Sequence, residues 1–359
     1  MSGRSAGAGR SATSPASPAS PTSVGAPRRC AISIDLDSLD CYYRIHGLGP
    51  SAPAGLAGVV LERALPRAVA LLARHELVAT WFVVGADVDG REDSEDPAAE
   101  PRAGSPRQRA GFASALRSLA QAGHELGNHS YTHPYDLARL PPAQQREELV
   151  RGDGVLRWLQ GGAVAGFRSP GYDLSPSLAL VLQELGYRYD SSVFPAPPYY
   201  VLKAAAMATQ RALGRRSGAV LTEPRALTAP RQPYRLDVSR PWARGAGPLW
   251  ELPIAVTPRL RLPVIGTSLL LAPRRLRAAL LDAVAADAFF NLELHGLDFA
   301  DAQLDELPAE LVARQPDLRL TLEQKLEALD EIFARVGRDY QAVTLAEQAQ
   351  ALSRDAAGR

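Results

Sequence analysis

The chain has 359 residues, 46% apolar and 22% charged, with 40 lysines and arginines against 39 acidic residues for a formal net charge of +1. That composition supports a sizeable core, and the balanced charge with no recurring basic run excludes a nucleic-acid-binding surface as the main purpose. Cys30 and Cys41, the two cysteines, exclude a disulfide scaffold and a zinc knuckle, and no uncharged apolar run of about 18 residues offers a membrane span.

Residues 1–29 are Ser, Ala, Pro, Gly and Arg with almost nothing to bury, and read as a disordered tail. They lack the apolar stretch of a secretory signal, so export is not expected and a reducing, cytoplasmic setting is the simplest expectation. "CAISID" (30–35) is the first predicted strand and ends on Asp35, with Asp37 two residues on. Leucines and alanines at three- and four-residue steps predict a helix over 56–75, before a strand in "ATWFVVG" (79–85). The acidic, proline-rich stretch 89–107 reads as an exposed insertion, followed by a helix over 107–122 and a strand in "HELGN" (124–128). "GNHSYTHPYDL" then sets His129 and His133 four residues apart, a spacing that one turn of helix would bring to one face. A helix over 141–160 and a strand in "AVAGF" (163–167) lead to Arg168. A helix over 176–185 and a strand in "YRYDSSV" (187–193) follow, and 196–235 reads as a long excursion from the sheet. Strands in "LWELPIAV" (249–256), "FFNLELH" (289–295) and "QAVTL" (341–345), with helices over 273–286 and 321–336, complete the pattern.

Alternating β and α elements predict a parallel sheet, open or closed into a barrel. Asp35, Asp37, His129, His133, Arg168 and His295 all fall at or just past the carboxyl ends of predicted strands, the rim where such folds keep active sites. In an extended chain Asp35 and Asp37 point the same way with Leu36 turned to the core. Two carboxylates facing one cavity repel unless a cation or a shared proton intervenes. His129, His133 and one carboxylate make a three-ligand set that leaves a position open, as catalytic zinc sites do. Arg168 could hold a carboxylate through its planar fork, and His295 has the ordinary pKa of a proton donor to a leaving amine. Plainer readings stand beside these: Asp37 as a cap, the two histidines as turn packing, Arg168 as a surface residue, His295 as a core histidine. His46, His75 and His124 invite only such readings.

In this order, Asp-x-Asp, "GHELGNHSYTH", "RSPGY", "YDSSVFP" and "LELHG" resemble the polysaccharide deacetylase (NodB-homology) family over about residues 30–350. What the resemblance implies is a distorted (β/α) barrel of about seven units, in a catalytic domain over 30–355 with insertions near 89–107 and 196–235. It implies one divalent ion, zinc first with cobalt, manganese or nickel as alternatives, and hydrolysis of an N-acyl group. Carried over, Asp37, His129 and His133 are the metal ligands, Asp35 the general base, Arg168 the arginine that orients it and His295 the general acid. The aspartates are adjacent in many members, whereas here Leu36 separates them. A similar Asp-x-Asp, together with "ELPIAVTPRLRLPVIGT", is similar to the branch that deformylates lipid-linked formamido-arabinose. The expected partner is therefore an N-acylated sugar or glycan, free or lipid-linked. Tyr172, Phe194 and Trp250 could form a sugar platform, with core packing equally open for each, and a backbone N–H near Tyr172 is the expected oxyanion donor. The rivals are cyclic amide or ureide hydrolysis on the same rim and an inactive carbohydrate-binding homologue, which should have lost Asp35 or His295.

Overall fold

A computed structural model describes residues 27–53, 55–89, 106–212, 214 and 218–358. The expected tail up to residue 26, and all but the ends of the 89–107 insertion, lie outside the described residues. Regular structure begins inside the expected tail of residues 1–29. β1 (Arg29–Asp35) begins at Arg29, and the Arg28 carbonyl accepts from the Gln341 N–H at 2.9 Å.

Every run read as a strand holds one: β2 (Thr80–Val83), β3 (Glu125–Asn128), β4 (Gly166–Phe167), β5 (Tyr189–Asp190), β7 (Trp250–Glu251), β8 (Phe289–His295) and β9 (Gln341–Ala342). β6 (Tyr234–Arg235) lies in the stretch read as an excursion and pairs antiparallel with β7. The sheet order is β6-β7-β5-β4-β3-β2-β1-β8, with β9 beside the start of β1, and all pairs except β6–β7 are parallel. The sheet curls until the chain after β7 meets β8, where the Ala255 N–H donates to the Asn291 carbonyl at 3.0 Å and Ile265 bridges to Glu293. This is a distorted (β/α) barrel, as expected.

Helices occupy the predicted stretches, among them Pro106–Gln121, Pro142–Gln160 and Leu322–Asp339. The stretch 56–75 opens with a π-type turn, Val60–Ala64, before its helix Leu65–Arg74. Helices at Leu39–His46, Pro197–Ala212 and Leu345–Ala357 were not expected. The last had a signal: Thr344 and Glu347 form a capping box, each side chain bonding the other's backbone N–H. This helix closes the amino-terminal mouth of the barrel. Its first N–H groups, of Leu345 and Ala346, donate to Thr80 Oγ1 and Glu125 Oε2, both at 2.9 Å. Leu345 and Ala349 pack on Ala31, Phe82, Tyr189, Trp250 and Phe289. Gly166 is required here, because a Cβ would stand 1.8 Å from the Tyr189 ring that crosses it to reach Glu125. With one mouth plugged, the carboxyl ends of the strands are left to form the working face.

Candidate active site

Asp35 closes β1, and the Leu36 N–H continues the ladder by donating to the Phe82 carbonyl at 2.9 Å. That extended step buries Leu36 in the outer core and turns Asp35 and Asp37 to one cavity. His129 also prolongs its strand, its N–H donating to the Val83 carbonyl at 3.1 Å.

The expected helical turn at His129 and His133 does not form. The chain instead curls through left-handed backbone at Ser130 (φ 65°) and His133 (φ 58°), which brings the two rings to 4.8 Å. Such conformations are strained for these residues and persist where the surroundings impose them. Glu148 does so: its carboxylate accepts from the Tyr131 and Thr132 N–H groups at 2.9 and 2.8 Å and from Thr132 Oγ1 at 2.7 Å.

Asp37 Oδ1 lies 3.1 Å from His129 Nε2 and 3.2 Å from His133 Nε2. His129 Nδ1 is 2.7 Å from the Arg168 carbonyl, which can only accept. Nδ1 therefore carries a proton and donates it there, which leaves Nε2 turned to Asp37. Asp37 Oδ1 and His133 Nε2 are buried and make no hydrogen bond, although the three donor atoms converge within 4.8 Å. Donor atoms crowded in this way are relieved by a shared proton or by a cation between them. One carboxylate and two imidazoles with a free coordination side suit a divalent ion such as zinc, so the residues present fit the metal.

Arg168 is fully buried and ties the site together. Its Nη1 donates to Asp35 Oδ1 at 2.6 Å, Nη2 to Ser33 Oγ and Ser191 Oγ at 2.8 and 3.0 Å, and Nε to the Ser191 carbonyl at 3.0 Å. The Phe82 ring lies beneath its guanidinium at 4.2 Å.

His295 ends β8 in register with Asp35 on the neighbouring β1. Its Nδ1 is 2.8 Å from Glu293 Oε1, while the Tyr172 hydroxyl donates to Glu293 at 2.9 Å and lies 3.1 Å from His295 Nε2. Burial alone would lower the His295 pKa, but Glu293, joined by Asp35 and Asp37, holds it well above the usual histidine range. Burial alone would raise Glu293, and His295 with Arg168 and Tyr172 holds it below the usual carboxylate range. The pair is thus imidazolium and carboxylate at neutral pH. Asp35, Glu293 and His295 also converge closely enough to attract a metal. Here, however, Arg168 and the His295 proton already supply the positive charge.

Glu293 is the site residue missed in the sequence, although "LELH" puts it on the same face of the strand as His295. Replacing Glu293 by Gln removes the charge that raises His295. The alkaline limb of kcat/KM should then move to lower pH, because the proton is lost as pH rises through a pKa that has fallen. An unchanged limb in the pH profile would refute the pairing.

The aromatic expectations fare less well. Tyr172 belongs to the site through its hydroxyl rather than as a sugar platform. Its own N–H donates to the Ser169 carbonyl at 3.1 Å and is not free to bind an oxyanion. Phe194 is fully buried behind Tyr172, with ring centroids 5.7 Å apart. Trp250 points to the plugged mouth, where its Nε1 donates to Ser353 Oγ at 2.9 Å. Next to Trp250, Glu251 is fully buried and accepts from the Val193 N–H at 3.0 Å. His46, His75 and His124 are bonded elsewhere, to Gln315, Asp330 and the Ala79 N–H.

Residues 55–189 match the family model for polysaccharide deacetylase. A peptidoglycan deacetylase of Helicobacter pylori is 25% identical over 175 residues, 48% of this chain and 52% of that protein. A peptidoglycan-N-acetylglucosamine deacetylase of Bacillus cereus is 27% identical over 105 residues, 29% of this chain and 30% of its own length. The chain thus spans about half, or less, of the curated relatives it matches. A solved structure from Mycobacterium smegmatis, described as a polysaccharide deacetylase, superposes with a TM-score of 0.55 at 19% identity, covering 94% of this chain and 95% of that one. At that identity it speaks for the fold.

Proposed function

We propose, from the premise that this chain carries a polysaccharide deacetylase domain, that it is a metal-dependent hydrolase removing an N-acyl group, acetyl or formyl, from a sugar or glycan. The observation that carries this reading is the juxtaposition of an arginine-held carboxylate, Asp35, and a protonated histidine, His295, beside the Asp37–His129–His133 cluster. Amide hydrolysis needs a base for the attacking water and an acid for the leaving nitrogen. These two residues answer those needs from adjacent strands.

Asp37, His129 and His133 would hold the ion. When bound, a divalent cation, zinc or alternatively cobalt, manganese or nickel, supplies Lewis acidity that polarises an acyl oxygen and acidifies a water. Asp35, its charge balanced by Arg168, takes the proton of the water that attacks the acyl carbon. His295 gives its proton to the nitrogen as the carbon–nitrogen bond breaks, leaving a carboxylic acid and an amine. Glu293 and Tyr172 hold His295 in place and keep it charged until then.

The test is amine release from a panel of N-acetyl and N-formyl sugars, run with metal analysis of the same protein. Stripping by a chelator should abolish release, re-addition of zinc should restore it, and His133→Ala should bind metal far more weakly. Full turnover by metal-free protein would overturn the reading.

A further inference from the structure

We propose that the outward face of the helix Pro197–Ala212, together with the turn at Leu260, is a docking surface for an anionic membrane. A helix packed on a barrel ordinarily turns its apolar side to the core and its charges to water. This one does the reverse. Its Lys203 points inward, with Nζ buried among the rings of Tyr135, Tyr199 and Tyr200. Val201 and Leu202 stand in solvent, 67% and 72% exposed. Ala205, Ala208 and Ala212 continue the outward face at helical spacing, and Arg211 at its edge is the one charged residue exposed on the helix. Large aliphatic side chains gathered at a surface mark a place of contact.

A second apolar point stands beside the first. β5 and β7 are neighbours in the sheet; the chain leaves β5 for this helix and leaves β7 for a turn that holds Leu260, 70% exposed. Arg261 fastens that turn to the root of the helix, its Nη1 donating to the carbonyls of Ala229, Leu227 and Pro195 at 2.9, 3.2 and 3.5 Å. Arg259, on the other side of Leu260, is exposed.

Charge says what the surface meets. The chain has 39 acidic residues, yet none falls within 191–222 or 252–281, stretches that carry Arg211, Arg215, Arg216 and Arg259. Glu223, the first acid past the helix, is paired with Arg225 at 3.7 Å. A second copy of this chain fits poorly, because across a two-fold axis the face meets itself and sets arginine against arginine. An anionic lipid surface suits both halves of the pattern. Aliphatic side chains sink to the acyl boundary while arginines reach the headgroup phosphates. Among the described residues no helix is long and apolar enough to cross a membrane, and a face of this kind lies along one. Gly218 and Val220, just past the helix, wall a cavity of about 380 Å³ with His133 and Tyr135. Docking on this face therefore brings the catalytic rim to the membrane.

The experiment is co-sedimentation of the full-length protein with vesicles of phosphatidylcholine alone and of phosphatidylcholine mixed with phosphatidylglycerol, repeated at rising ionic strength. It needs no turnover, so its outcome is separate from that of the reaction proposed above. Wild type should bind the anionic vesicles at least about tenfold more tightly, since each arginine near the surface adds to the attraction, and salt should erode the preference. Val201→Ser combined with Leu202→Ser leaves the net charge unchanged and should lose most of the binding. Arg211→Gln combined with Arg259→Gln should lose the preference for anionic lipid. Both pairs are exposed, and thermal melts check that each variant is folded. Absence of binding by wild type, equal binding to the two vesicle types, or undiminished binding by the Val201–Leu202 variant overturns the proposal. So does sedimentation velocity showing a wild-type dimer that the same variant turns to monomer, since a second copy then covers the face.

Discussion

Replacing Arg168 by methionine should destabilise the fold by about 3–5 kcal/mol, the usual cost of removing one partner from a buried ion pair. Arg168 and Asp35 are both essentially inaccessible, so no water can take the arginine's place. Losing the guanidinium strands the Asp35 carboxylate and removes donors from Ser33, Ser191 and the Ser191 carbonyl together. Lysine should rescue little, because a single ammonium cannot reproduce a planar fork that serves two strands at once. Urea unfolding monitored by two probes measures the effect. A loss below about 1 kcal/mol would show that Asp35 finds other partners and that Arg168 is not what holds β1 to β4 and β5 at this level.

The same network shows which parts of the site were legible in the sequence. Asp35 and Asp37 follow from strand alternation, a rule that survives wherever the backbone stays extended, as it does through Leu36. His129 and His133 do come together, though not on a helix. Helical spacing predicts their approach, but left-handed turns at Ser130 and His133, clamped by Glu148, achieve it. Nothing local to "HSYTH" announces that clamp, because Glu148 arrives from the next helix. The barrel was visible as alternating strands and helices, while β6 was hidden because two residues in a proline-rich stretch leave no period to read. The aromatic residues misled most. Phe194 and Trp250 look like platform candidates in sequence, yet side-chain direction depends on which mouth of the barrel a residue faces, and the unexpected terminal helix decides that for Trp250.

His295→Ala tests the chemistry most directly. His295 makes no contact with Asp37, His129 or His133 in the proposed scheme, so the variant should retain metal. The fold should survive as well, because the backbone N–H of residue 295 still donates to Asp298 Oδ2, a bond of 2.8 Å. Turnover should fall by roughly 10²–10⁴, the usual effect of a positioned proton donor. The loss should be larger for amides with poor leaving amines than for activated esters, whose leaving groups need no proton. Stability carries its own signature. A histidine raised in the folded state stabilises the protein below its unfolded pKa and loses that contribution as pH rises through the folded one. The variant should therefore be less stable than wild type mainly at acidic to neutral pH, with the gap narrowing in alkali. If His295 only packs against Tyr172 and Tyr42, the change should lower stability at every pH and leave the rate per folded molecule intact. Equal turnover at matched folded concentration would remove His295 from the mechanism and leave Glu293 and Tyr172 without a function in it.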